Sequence, residues 1–164
     1  MPLLKNNSFV ADDYHVLADD IAMPSTGKVV ISASRLTEVN KLIVGIRLSN
    51  TDKVESLKPF FNQIAMIILP FPAFGDGRSY SIARQLRLEG FQGELRAEGN
   101  ILPDQLQMMR QVGFDSFEVS DRFPLEAWQA ASHQMSLAYQ RGLYRHQETE
   151  VWSSRHEKEL TRGH

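Results

Sequence analysis

The run Ile64-Ala65-Met66-Ile67-Ile68-Leu69-Pro70 is continuously apolar and of strand length. Amphipathic strands alternate; a strand that does not is expected at the centre of a sheet covered on both faces. The segment that follows, Phe71 to Gly77, reads as a loop. Ser79 to Leu88 then has the spacing of a helix burying Ile82, Ala83 and Leu86, with Gly90 as its stop, and Gly93 to Ala97 is the next strand.

The same unit continues in both directions. Downstream, Pro103 opens a predicted helix with Leu106, Met109 and Val112 on one face, and Gly113 ends it before a strand over Ser116 to Val119. Pro124 then opens a helix striped by Leu125, Trp128, Ala131, Met135 and Tyr139, stopped by Gly142. Upstream, Val29 to Ile31 is a strand leading to a short helix near Arg35 to Leu42, and Ile43 to Leu48 is a strand ending at the cap cluster Ser49-Asn50-Thr51-Asp52. A helix with Val54, Leu57, Phe61 and Ile64 on its stripe follows, bent or shortened by Pro59. Alternating strands and helices predict an α/β fold of about four consecutive strand–helix units on a mainly parallel sheet, either half of a (β/α) barrel or an open sheet. Residues 1–27 read as a polar arm, 28–142 as the core of a single domain and 143–164 as a mobile, charged tail.

Composition removes several classes of chemistry. The 164 residues suffice for one core, and without cysteine the chain offers no disulfide, thiolate nucleophile or conventional cluster ligand. The 18 basic and 20 acidic residues are dispersed, so neither nucleic acid nor an anionic membrane surface is expected as a partner. Acidic pairs at Asp12-Asp13 and Asp19-Asp20 interrupt the N-terminal stretch, which points to a cytoplasmic location. His146, His156 and His164 lack metal-ligand spacing, and His156-Glu157-Lys158-Glu159-Leu160 lacks the second histidine of a zinc-protease motif, so no metal is predicted. No cofactor is predicted either: Gly75 and Gly77 supply two glycines of a dinucleotide fingerprint and Tyr80 stands at the third.

In parallel α/β folds ligands gather at the carboxyl ends of the strands. That nominates the loops Ser49 to Asp52, Phe71 to Arg78, Gly99 to Asp104 and Ser120 to Phe123. In the second loop Gly75, Gly77, Arg78 and Ser79 could present backbone N–H groups, a helix N-terminus and a guanidinium to phosphate, carboxylate, sulfate or sulfite. The alternative is a tight turn in which Gly75 and Gly77 take unusual φ and Asp76 caps the helix. On the strand after it, alternation sends Arg96, Glu98 and Asn100 to one side, where Arg96 and Asn100 could hold an anion and Glu98 or Asp76 could serve as acid or base. The competing reading is an ion pair of Arg96 with Glu98 or other neighbours. Arg84 and Arg87 read as a solvated helix face, with Glu89 as a partner.

Residues 76–119 carry Asp76-Gly77-Arg78, Tyr80-Ser81, Ala83-Arg84, Gly93 to Ala97, Gly99-Asn100, Asp104-Gln105 and Gly113-Phe114-Asp115. This pattern resembles a bacterial family, domain of unknown function 934, whose members are described as probable oxidoreductases involved in sulfite reduction. Ser79 stands where the family usually has glycine, and Asn100 where aspartate is common. The resemblance implies a place in sulfur assimilation and no established catalytic residue. With no cysteine to ligate a cluster, the expectation is an accessory or partner protein of assimilatory sulfite reduction, contacting sulfite reductase or its electron donor, with an oxyanion-binding cleft at the strand ends. Two alternatives stand beside it: a small half-barrel enzyme acting on a phosphorylated or carboxylated metabolite, and a non-catalytic scaffold in which a homo-oligomer covers exposed strand edges.

Overall fold

The computed structural model describes residues 1–24, 26–39, 43–49, 52–73 and 75–133. The expectations for residues 143–164 and for Met135 and Tyr139 lie outside them. Eight strands form one sheet: β1 (Leu3–Lys5), β2 (Ser8–Val10), β3 (His15–Val16), β4 (Val29–Ser32), β5 (Val44–Arg47), β6 (Ile64–Phe71), β7 (Glu94–Gly99) and β8 (Ser116–Glu118). Their order is β2-β1-β8-β7-β6-β5-β4-β3. From β3 to β8 all pairs are parallel, and β1 joins β8 and β2 antiparallel. Ile64–Phe71 lies inside the sheet between β5 and β7, as its apolar run requires.

Because β3 to β8 cross the sheet in chain order, there is no reversal of the kind that defines a doubly wound sheet. Leu36, Val54, Leu57, Ala83, Leu86, Leu106, Met109 and Trp128, from every helical segment but the short turn Pro103–Gln105, enter one apolar cluster, so the crossovers share a face. The result is a curled half-barrel sheet with helices on one side.

Four strand–helix units are not what connects it. The helices are α1 (Arg78–Leu88), α2 (Leu106–Gln111) and α3 (Leu125–His133); Ala33–Glu38, Val54–Phe60 and Pro103–Gln105 are 3-10 turns. Pro59 gives the physical reason in the second of these, because it has no N–H for an α-helical bond and the tighter turn is used in short pieces. Ile64, which fits both the helix stripe and the start of the apolar strand, opens β6. Residues 1–27, expected as an arm, supply three strands, and Leu4 is fully buried.

Register separates the two faces of the sheet. Leu4, Val29, Ile31, Val44, Ile46, Ile67, Leu69, Leu95, Ala97 and Phe117 point to the helix side and are all apolar. The opposite face carries Val30, Met66 and Ile68 with Tyr14 packed on them. On the same face stand Arg47, Glu94, Arg96, Glu98, Ser116 and Glu118, as the pairs Arg47↔Ile68, Ile68↔Arg96, Met66↔Glu94, Arg96↔Ser116 and Glu98↔Glu118 require.

Candidate functional site at the carboxyl rim of the sheet

Arg96 anchors the polar face. It is 2% exposed, and its guanidinium donates to Asp12 at 2.7 Å, to Glu94 at 3.2 and 3.3 Å and to Glu118 at 3.5 Å, while Tyr14 lies 5.7 Å from its ring centroid to the guanidinium carbon. Burial alone would lower the pKa of Arg96, but its bond to Asp12 and the charge of Glu94 outweigh burial and raise it. Burial likewise pushes Glu94 up, yet hydrogen bonds from Lys5 and Ser116 and the charge of Arg96 hold it below the ordinary carboxylate range. Glu118 goes the other way: burial, then the neighbouring Glu98, raise it against the pull of Arg96. Glu98 pairs with Arg47, Nη2 donating at 3.0 Å and Nε lying 2.9 Å from the second carboxylate oxygen. The Arg96–Glu98 pair considered from sequence is therefore replaced by pairs with Asp12, Glu94 and Glu118. Three carboxylates already surround Arg96, which makes it a poor seat for an external anion.

The loop between β6 and α1 is also internally satisfied. Arg78 donates through Nε and Nη2 to the two oxygens of Asp76 at 2.9 and 2.6 Å, and its backbone N–H reaches the same carboxylate at 3.1 Å. These bonds hold the Asp76 carboxyl at about 2. Neither Gly75 nor Gly77 is among the glycines at positive φ, and a Cβ on either would meet open space, so the expected need for unusual φ does not apply. Ser79 is buried and its hydroxyl donates to the Pro70 carbonyl at 2.6 Å, tying α1 to the end of β6. Asn100 Nδ2 donates to the Pro72 carbonyl at 2.8 Å. Beside it, Gly99 sits at φ 119°, and a Cβ there would strike the Phe71 carbonyl.

Three of the nominated loops do converge. A cleft of about 330 Å³ is lined by Pro72 and Ala73 after β6, Asn100 to Leu102 after β7, and Ser120, Arg122 and Phe123 after β8. A second cleft, about 350 Å³, shares Leu102 and Phe123 with it and adds Pro103, Asp104, Ala127 and Ala131. The fourth loop contributes Ser49 to a separate cleft with Ser32, Arg47 and Asp19. Asp76, Arg78, Ser79 and Arg96 line none of these three clefts, whereas Asn100 lines the first.

Arg122 is the residue that the sequence reading left out. The Arg122 backbone N–H donates to the Ser120 hydroxyl at 3.2 Å, but its guanidinium stacks 5.8 Å from the Phe123 centroid and, like the guanidinium of Arg84 on the exposed side of α1, makes no hydrogen bond or ion pair with another described residue. Arg35, Arg47, Arg78, Arg87, Arg96 and Arg110 all do. Two buried donors also have no acceptor among the described residues: the Tyr80 hydroxyl and the indole Nε1 of fully buried Trp128. Each orphan of this kind costs roughly 1–3 kcal/mol unless a bound molecule satisfies it. Trp128 packs edge-on against Phe123 at 6.0 Å, a residue that lines both clefts, and Tyr80 packs edge-on against Phe71 at 5.4 Å, the neighbour in sequence of the lining residue Pro72. Burial, then Asp104, raise the Tyr80 pKa, so the hydroxyl keeps its proton and remains a donor.

Fold and rim together define a mostly parallel α/β half-barrel protein with paired clefts at the strand ends. The chain belongs to the bacterial proteins of unknown function DUF934, whose family model matches residues 45–149. No curated protein matches it. Among the described residues, no helix is long and apolar enough to cross a membrane.

Proposed function

We propose that this protein is an accessory component of assimilatory sulfite reduction that binds a small anion at the carboxyl rim of its sheet and works beside sulfite reductase or its electron donor. The observation that carries the binding half is Arg122: a cation with no carboxylate partner among the described residues, at a cleft where three strand-end loops meet. A guanidinium in that state can take the fork geometry of a two-oxygen anion. The pathway half rests on the likeness of residues 76–119 to proteins described as taking part in sulfite reduction. The lack of cysteine assigns cluster-borne electrons to a partner rather than to this chain.

A deletion strain tests the pathway. Failure on sulfate and sulfite with rescue by sulfide supports the proposal, and equal growth on all three sulfur sources, absent a redundant paralogue, sinks it. Calorimetry with sulfite tests the site: Arg122→Ala should abolish a heat that Arg84→Ala retains.

A second reading, a small half-barrel enzyme, draws on Glu98 and Glu118, neighbours in register on the polar face with Arg47 beside them at a third cleft. It requires turnover of a phosphorylated or carboxylated metabolite that Glu98→Gln removes.

A further inference from the structure

We infer that the paired clefts form a single site for an amphipathic organic anion: a carboxylate with an aryl or branched apolar body and one further oxygen acceptor. This rests on the anion reading of Arg122 and deepens it. Leu102 and Phe123 line both clefts, so the two spaces adjoin across a shared apolar wall. Their ends differ in chemistry. Arg122 and Ser120 stand at one end, whereas Leu102, Pro103, Phe123, Ala127 and Ala131 make the other almost wholly apolar, with only Asp104 on its rim.

An inorganic oxyanion would satisfy the guanidinium and leave that apolar end exposed to water. A ligand with an apolar body covers it, and burying such a body is favourable in proportion to its area. The orphan donors supply the remaining specification. Trp128 lies between Ala127 and Ala131 in the sequence of α3, one residue from the first and a helical turn from the second, and its indole N–H is buried without an acceptor among the described residues. The Tyr80 hydroxyl, also without an acceptor among the described residues, belongs to a ring packed on Phe71, next in sequence to the lining residue Pro72, and it feels the charge of Asp104, which lines the apolar end. A ligand oxygen within reach of either would complete a hydrogen bond that the protein leaves open. Asp104 on the rim disfavours a second anionic group at the apolar end, so one carboxylate is specified and not two.

Phenylpyruvate is a suitable probe, compared with pyruvate and sulfite on the full-length protein by calorimetry. Phenylpyruvate should bind at least about tenfold more tightly than either, and Arg122→Ala should remove that binding. Ala127→Phe should weaken phenylpyruvate at least about tenfold while leaving sulfite unchanged, with Ala127→Met as a milder filling variant if the first fails to fold. Only two tryptophans are present, so a Trp152→Phe background assigns the indole N–H resonance of Trp128, which should shift on addition of phenylpyruvate. Sulfite binding that depends on Arg122 without preference for phenylpyruvate would overturn the inference and spare the anion reading. Silence from all three probes would overturn both.

Discussion

Two arginines on opposite ends of the sheet have opposite fates. At the amino ends of the strands Arg87 leaves α1 and donates to the carbonyls of Gly113 at 2.7 and 3.1 Å, Phe91 at 2.9 Å and Gly93 at 2.8 Å, and to Asp115 at 2.6 Å. Asp115 in turn accepts from the Leu95 backbone N–H at 2.8 Å. At the carboxyl ends the Arg122 guanidinium bonds to no described residue and stands at a cleft. The same side chain is a latch where carbonyls and a carboxylate converge on it and a candidate ligand group where they do not. Arg87 thus corrects the expectation of a solvated face, and Glu89 pairs with Lys58 at 2.6 Å instead.

The largest test of this contrast is Arg87→Ala. It strips partners from three carbonyls and leaves Asp115 without its cation in a half-buried setting. Loss of about 2–4 kcal/mol is expected in chemical denaturation. A loss below about 0.5 kcal/mol would show that the amino-end latch does not hold the sheet.

A smaller test runs along the polar face, where the amino and carboxyl halves differ in the sign of their pH dependence. Glu94 has a folded value below its ordinary 4.5, so its ionisation stabilises the native state above that pH and the contribution disappears as pH falls through the lowered value. Glu94→Gln should therefore cost about 1–2 kcal/mol at pH 7 and little in acid. Glu118 has a folded value above 4.5, so its ionisation opposes folding, and the penalty grows as pH rises from 4.5 through the raised value. Glu118→Gln should gain up to about 1 kcal/mol at pH 7 and nothing in acid. Thermal melts at several pH values decide it; slopes of the same sign for the two variants would contradict the contrast between the halves.

Sequence carried the strands further than the contacts. The unbroken apolar run at 64–70 identified an interior strand, and glycines and prolines marked the loops, because both signals are local. Asn6 and Asn7, at φ 51° and 62°, form the two-residue turn between β1 and β2, but strands of three residues are too short for alternation to reveal. The 3-10 turns look like helices in sequence because buried residues at three-residue spacing satisfy either form. The candidate site divided along the same line. Loops at strand ends were legible from topology, whereas Asp76 with Arg78, Arg96 with Asp12, and Arg87 with Gly113 are partnerships fixed by tertiary distance. Arg122 lay in a nominated loop, yet nothing in its neighbours distinguished it from Arg78.

The smallest effect on stability belongs to Arg122, and its smallness is the argument. Removing a guanidinium that bonds to no described residue leaves no internal group newly unsatisfied, so Arg122→Ala should change unfolding free energy by no more than about 0.5 kcal/mol. The stacking on Phe123 is the one described side-chain contact that it forfeits, and an exposed pair at 5.8 Å, near the outer limit for such contacts, contributes about 0.5 kcal/mol. Denaturation of the ligand-free variant is the measurement. A loss approaching that of Arg87→Ala would mean that Arg122 is a structural tie like its counterpart at the amino ends, and the carboxyl rim would lose the cation on which its binding function depends.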